Sequence, residues 1–180
     1  VDAALMKAEL PKRFDTEAEA QNFLESLINA SFTVSDVTTS PATRNPGPPF
    51  TTSTLQQEAN SRLGFSAKAT MGAAQKLYQE GKITYMRTDS VNLSSQALAQ
   101  MTDYIKTEHG EQYHQFRTFK TKNASAQEAH EAIRPTDVRQ EFASSDEYNQ
   151  KLYDLIRRRT LASQMSPAKL DKTVVTITIS

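Results

Sequence analysis

Four of the chain's seven prolines fall within ten residues, "PATRNPGPPF" at 41–50. Proline fixes φ, lacks an N–H and restricts the residue before it, so neither a helix nor a central strand is expected to run through. The stretch reads as a rigid connector. On its N-terminal side, residues 16–30 are predicted helical: Thr16 and Glu19 form a capping box, and Ala20, Phe23, Leu24, Leu27 and Ile28 repeat at three- and four-residue spacing. "SFTVSDVTTS" at 31–40 is rich in threonine and valine and reads as a strand. At the far end "TVVTITI" alternates and is almost wholly β-branched, a second strand.

Helical patterns fill the interval. "TSTLQQEANSRLG" is predicted to start on a Ser53 cap answered by Gln56 and to stop at Gly64. "SAKATMGAAQKLYQEG" gives a second helix ending at Gly81, and "KITYMRT" after it is extended. A third helix runs from Ser94 to Gly110 over Leu98, Met101 and Ile105. "SAQEAHEAI" opens on a Ser125–Glu128 capping box, and Pro135 ends that helix near Ile133. The last helix starts near Ser144 and carries Tyr148, Leu152, Leu155 and Ile156 on one side. A strand entering this block and another leaving it predict a mostly α, α+β chain. Its helical domain, 51–165, is inserted into a β-rich domain made of 1–50 and 166–180.

Composition narrows the function classes. There is no cysteine, which excludes disulfides and thiolate metal sites and fits a reducing cytoplasm. No apolar run approaches the roughly 18 residues of a membrane span, and no basic-then-apolar leader precedes the first helix. The expectation is a piece of a larger cytoplasmic protein with no membrane partner. Lys+Arg and Asp+Glu are both 21, yet 51–170 holds 16 basic and 13 acidic residues, so the centre tolerates a phosphate-facing surface. Histidines and carboxylates nowhere cluster at ligand spacing, so no metal site is expected.

The chemistry concentrates in "GKITYMRTDS" at 81–90. In an extended chain side chains alternate faces, so Tyr85 and Arg87 point one way and Thr84, Met86 and Thr88 the other. A phenol is a poor nucleophile near neutrality, and a permanent neighbouring cation favours its phenolate. A guanidinium also grips two phosphate oxygens. A phenol attacking a phosphodiester would form a tyrosyl-phosphate link that stores the bond energy for resealing. On spacing alone, an ordinary alternating strand whose arginine merely covers the ring is the commoner source of such a pair. In "QEAHEAIRPT", His130 can exchange a proton near neutrality and Arg134 projects from a helix end, a pair able to hold phosphate. "IRRRT", Arg157 to Arg159, cannot face one way, because successive helical positions differ by about 100°.

"PPFTTSTLQQEA", "AAQKLYQEGKITYMRTDSVNLS", "QEAHEAIRPT" and "ASQMSPAKL" together resemble blocks of type IA DNA topoisomerases, most of all the bacterial topoisomerase I branch, in order over most of 48–170. Topoisomerase III and reverse gyrase are the alternatives within the class, and a non-catalytic DNA-binding domain the alternative outside it. The resemblance implies that Tyr85 is the nucleophile that becomes linked to a 5′ phosphate, and that Arg87 stabilises phosphate and phenolate. It implies DNA contacts for His130, Arg134 and Gln75. Gln79 departs, standing where many relatives carry glutamate. The implied architecture is a helical domain inserted in a β-rich arch that acts as a gate. The implied partners are a single-stranded region of DNA and the remaining domains of one bacterial, nucleoid-associated enzyme. The implied cofactor is Mg2+, held by residues outside this chain, with no ATP.

Overall fold

The computed structural model describes residues 7–119 and 130–180. The chain divides into two compact units, one formed by residues up to Thr43 with Lys169–Ser180, the other by Arg44–Ala168.

The first unit holds helix α1 (Glu17–Ser26) and strands β1 (Phe32–Arg44) and β2 (Ala168–Ile179), which pair as a two-stranded sheet. Ser31 exchanges both backbone hydrogen bonds with Ser180, and Thr39 meets Thr173 across the ladder, so the strands are antiparallel. β1 runs on through Pro41 to Arg44, further than predicted. Every strand of a two-stranded ribbon has a free edge, and there proline's missing N–H costs no ladder bond. The Thr16 hydroxyl accepts from the Glu19 N–H as predicted, but the Glu19 carboxylate accepts from Asp15 rather than Thr16. No residue of α1 is buried, and Leu24 and Ile28 are exposed.

The second unit packs α2 (Thr52–Leu63), α3 (Ala67–Gln79) and α5 (Glu147–Ser163) around one core and sets α4 (Ser95–Glu108) against a smaller one. The first core joins Leu55, Leu77, Leu152, Tyr153 and Ile156 to Phe50, Ile83, Met86 and Ile133 from the connecting segments. The second gathers Ala97, Met101 and Ile105 of α4 with Val138 and Leu161. Leu98 is only partly buried there, and Tyr148 lies exposed against the ring of Phe65.

Helix ends follow backbone chemistry more closely than the motif reading did. α2 is capped by Thr51 with Thr54 in a reciprocal box, not by Ser53 with Gln56. The two pairs overlap by two residues, and burial of the adjoining Phe50 decides between them. Gly64, at φ 69°, ends α2 as expected, where a left-handed residue closes the last turn. α5 begins from an Asp146 cap, two residues later than predicted. The Ser125–Glu128 capping box lies outside the described residues. Residues 130–133 are not helical: Ile133 pairs as an isolated antiparallel bridge with Phe50.

Candidate active site

The tyrosine segment is not a regular strand, and only Ile83 forms a bridge, to Pro135. The alternation nevertheless holds. Met86 and Ser90 are buried and Thr84 and Thr88 half-buried, while Tyr85, Arg87 and Asp89 are exposed. Inward-pointing Met86 fixes which way its neighbours must face.

Two threonines supply the bonds that a sheet ladder would otherwise give. From one side the Thr52 hydroxyl donates to the Met86 carbonyl at 2.7 Å and accepts from the Thr88 N–H at 2.9 Å. The Thr52 N–H donates to the Thr88 carbonyl at 2.9 Å. From the other side the Thr84 hydroxyl donates to the Ala132 carbonyl at 2.7 Å and accepts from the Arg134 N–H at 3.0 Å. The Thr84 N–H donates to the Arg134 carbonyl at 2.9 Å. Ile133 in turn donates to the Phe50 carbonyl and Ala132 to that of Asn92, both at 2.8 Å. Three blocks far apart in sequence, around 50–52, 83–92 and 131–136, are thus sewn into one bed. Neither threonine was singled out by sequence reasoning. Their signal is a hydroxyl at each place where an extended segment must satisfy buried backbone without a neighbouring strand.

Tyr85 is 43% exposed, and its ring meets Tyr78 edge to face with centroids 5.2 Å apart. This geometry favours aromatic pairs by placing a positive ring edge on a negative face. Tyr78 belongs to the last turn of α3, and Gln75, exposed, sits one turn earlier on the same helix side. Gln79 is exposed at the end of that helix. Arg87 has neither an ion-pair nor a hydrogen-bond partner among the described residues.

His130 is exposed at the entrance to the 131–136 strap. Arg134 does not project as expected but folds back. It pairs in a fork with Glu131, Nη2 to Oε2 at 2.7 Å and Nε to Oε1 at 3.1 Å, and donates to the Pro135 carbonyl at 3.0 Å. Its side chain is only 14% exposed. Glu131 also accepts from the Ser94 N–H at 2.6 Å, which ties the strap to the N-terminus of α4. Burial pushes the Glu131 carboxyl up, but Arg134 and Ser94 outweigh it and leave it below the ordinary glutamate range. Arg134 therefore stiffens the bed beneath Tyr85. The structure thus joins the Tyr85 segment to the 132–134 strap by hydrogen bonds and to α3 through Tyr78, with Gln75 one turn earlier on that helix; no contact of Gln75 or His130 with Tyr85 occurs among the described residues.

Among the described residues there is no group of three or more His, Asp or Glu that could hold a metal ion. No described helix is long and apolar enough to cross a membrane.

A family model described as DNA topoisomerase matches residues 2–180. A protein of Acanthamoeba polyphaga mimivirus named DNA topoisomerase 1 type prokaryotic is 46% identical over 180 residues, a match covering 98% of this chain and 20% of that protein. DNA topoisomerase 1 of Zymomonas mobilis is 51% identical over 166 residues, 91% of this chain and 13% of that protein. The solved structure of full-length topoisomerase I from Thermotoga maritima is similar with a TM-score of 0.67 at 35% identity, covering 94% of this chain and 29% of that one. The chain thus spans about a fifth or less of these curated relatives.

Proposed function

The chain belongs to the DNA topoisomerase family, in the type IA topoisomerase I branch, and on that footing we propose that it carries the tyrosine that cuts and reseals one DNA strand. The Tyr85 phenolic oxygen attacks a backbone phosphorus as its proton leaves. A new ester forms between Tyr85 and the 5′ phosphate, and the bond from phosphorus to the neighbouring 3′ oxygen breaks, that oxygen taking up a proton. While the strand is open another passes, relaxing negative supercoils. The 3′ hydroxyl then attacks the phosphotyrosine and restores the backbone. The ester conserves the phosphodiester's energy, so the cycle calls for no ATP.

The observation that carries this reading is the bed itself. A half-exposed phenol and an exposed, uncommitted guanidinium flank a buried methionine on a segment pinned from both sides. Arg87 supplies fixed positive charge for the phenolate and for the charge that grows on the phosphate, which preorganised cations stabilise without reorganisation. His130 and Gln75 face the DNA. Arg134 reaches it only by releasing part of its hold on Glu131.

The resemblance implies magnesium, but the described residues do not fit that role, because no ligand cluster occurs among them. In this proposal its ligands belong to the remaining domains of a longer bacterial, cytoplasmic enzyme. The helical unit is a domain inserted in that enzyme's β-rich arch, and the segment alone does not cleave. The deciding experiment is Tyr85→Phe in the full-length protein. Relaxation and denaturant-resistant DNA adduct should vanish while single-strand binding stays within about twofold. Adduct formation by the phenylalanine variant would refute the assignment of Tyr85. Adduct formed by the isolated segment with magnesium and single-stranded DNA would refute its dependence on other domains.

A further inference from the structure

The run "IRRRT" stands apart from the tyrosine bed, and α5 gives its three arginines three different surroundings. Arg157 lies over the Tyr104 ring, 5.3 Å from its centroid, and donates to the Tyr104 hydroxyl at 2.7 Å and the Val138 carbonyl at 2.8 Å. Arg159 lies over the Phe50 ring at 4.6 Å and pairs with Glu58. Glu58 is shared, because Arg62 pairs with it as well, at 2.8 Å. Arg158 is exposed and has no ion-pair or hydrogen-bond partner among the described residues.

Arg158 lines an open cavity of about 520 Å³ walled by Pro46 and Gly47, the end of α2 and the outer side of α5. The charged lining is Arg62, Lys151, Arg158 and Arg159 against Glu58 and Asp154. Both carboxylates are already engaged, Glu58 by two guanidiniums and Asp154 by the Gln150 amide at 2.9 Å. Lys151 pairs outward with Glu147 at 2.5 Å. The groove keeps a positive excess that its own residues do not satisfy, and no residue of the tyrosine bed lines it.

We propose that this α2–α5 groove is a second binding site for the backbone phosphates of single-stranded DNA, reached by Arg158 over a floor formed by Arg62 and Arg159. The inference rests on the reading of the protein as a DNA enzyme. Guanidinium forks match phosphate oxygens, and Arg159 is held in advance by a ring and a carboxylate, so little freedom is lost on binding. Leu63 and Leu155 give the groove an apolar wall against which sugars can lie. The site reads charge and not bases, so its contribution is independent of sequence and falls with salt.

The test uses the full-length protein, a fluorescein-labelled 20-residue oligothymidylate and a 20-base-pair duplex, with anisotropy read between 50 and 200 mM salt (about the range over which released counterions matter). Arg158→Glu should weaken oligothymidylate binding about 5- to 10-fold at the low end and flatten the salt slope by about 0.7 per lost phosphate contact. Arg158→Lys should retain most of the affinity. Melting temperature should be unchanged in both, since Arg158 holds nothing in the fold. Unchanged affinity and slope in Arg158→Glu would overturn the proposal, as would a loss confined to the duplex. Tyr85→Phe measured beside them separates the two readings: residual adduct there removes the assigned nucleophile, whereas a dead Tyr85→Phe with an indifferent Arg158→Glu removes only the groove.

Discussion

Thr52→Val tests the clamp directly, because valine keeps the shape of threonine and deletes the hydroxyl. Its contacts to the tyrosine segment go with it: the Met86 carbonyl loses its donor at 2.7 Å, the Thr88 carbonyl a longer contact at 3.1 Å while keeping the Thr52 N–H, and the Thr88 N–H loses its acceptor at 2.9 Å. An unsatisfied buried group costs about 1–3 kcal/mol, and these sites are half-buried, so the lower part of that range applies to each. Together they give about 2–3 kcal/mol of local stability. Read by hydrogen exchange at the Thr88 amide in the full-length protein, that is about 30- to 150-fold less protection, at 1.4 kcal/mol per factor of ten. Adduct formation should slow by a similar order while DNA affinity holds, since Thr52 touches the segment and not the ligand. Thr84→Val should act likewise through Ala132 and Arg134. The double variant should cost less than the sum, because a segment freed on one side has less to lose on the other. Unchanged protection at Thr88, or a loss spread evenly along α2, would refute the clamp.

Tyr78→Ala removes an edge-to-face partner worth about 0.5–1.5 kcal/mol and should slow adduct formation with unchanged DNA affinity. Tyr78→Phe, which keeps the ring, should restore the rate. Gly47→Ala places a methyl on the Arg159 guanidinium, which must then swing away from Glu58 and Phe50. A loss of about 1 kcal/mol in urea unfolding is expected, with little further loss in an Arg159→Ala background. Burial pushes the Tyr153 phenol up to about 12, partly opposed by Arg157. The folded state therefore holds this proton more tightly than the unfolded chain, whose ordinary value is about 10. Its contribution is whole below pH 10 and is lost as pH rises from 10 towards 12. Urea unfolding across that interval should fall less steeply in Tyr153→Phe than in the unaltered protein.

Much of this was legible in residue order, and the exceptions share a cause. Cap and glycine-stop residues located α2 and α3, and apolar spacing located α4 and α5, because local hydrogen bonding and one apolar face suffice to make a helix. Alternation correctly set Met86 against Tyr85 and Arg87, although the segment forms no strand, because alternation belongs to extended backbone as such. What failed depended on distant partners. Residues 130–133 have good helix formers, yet their amides serve Phe50 and Asn92 instead. Arg134 is expected to project because Pro135 takes it out of a helix, but with no helix at 130–133 it folds back on Glu131, three residues before it. The Thr52 and Thr84 hydroxyls bond across 34 to 50 residues of sequence, a range no local pattern encodes. The stripe on α1 is only partly covered among the described residues: Ala20, Phe23 and Leu27 are half-buried, Phe23 against the Phe14 ring, while Leu24 and Ile28 are exposed.

The arginines divide along the same line. Arg134, Arg157 and Arg159 are half-buried, paired with Glu131, Glu141 and Glu58 respectively and each held as well by a carbonyl or an aromatic ring, and so act as struts. Arg87 and Arg158 are exposed and, among the described residues, bound to nothing. A surface guanidinium can recover a fraction of a kcal/mol from a nearby carboxylate at little cost, and this chain has as many acids as bases. The acid nearest to Arg87 in sequence is Asp89, two residues on and also exposed, yet no ion pair between them occurs among the described residues. Extended backbone separates such positions by about 7 Å, so the pair would require Arg87 to curl back along its own chain. The geometry that sets Tyr85 and Arg87 on one side thus also withholds Arg87 from its nearest competitor. A shift of the acid to position 88 or 90 would send it inward, whereas a helix at 84–90 would turn Tyr85 and Arg87, two positions apart, to roughly opposite sides. Keeping the segment extended is therefore what keeps phenol and cation on one side, and the two threonine clamps are what keep it extended.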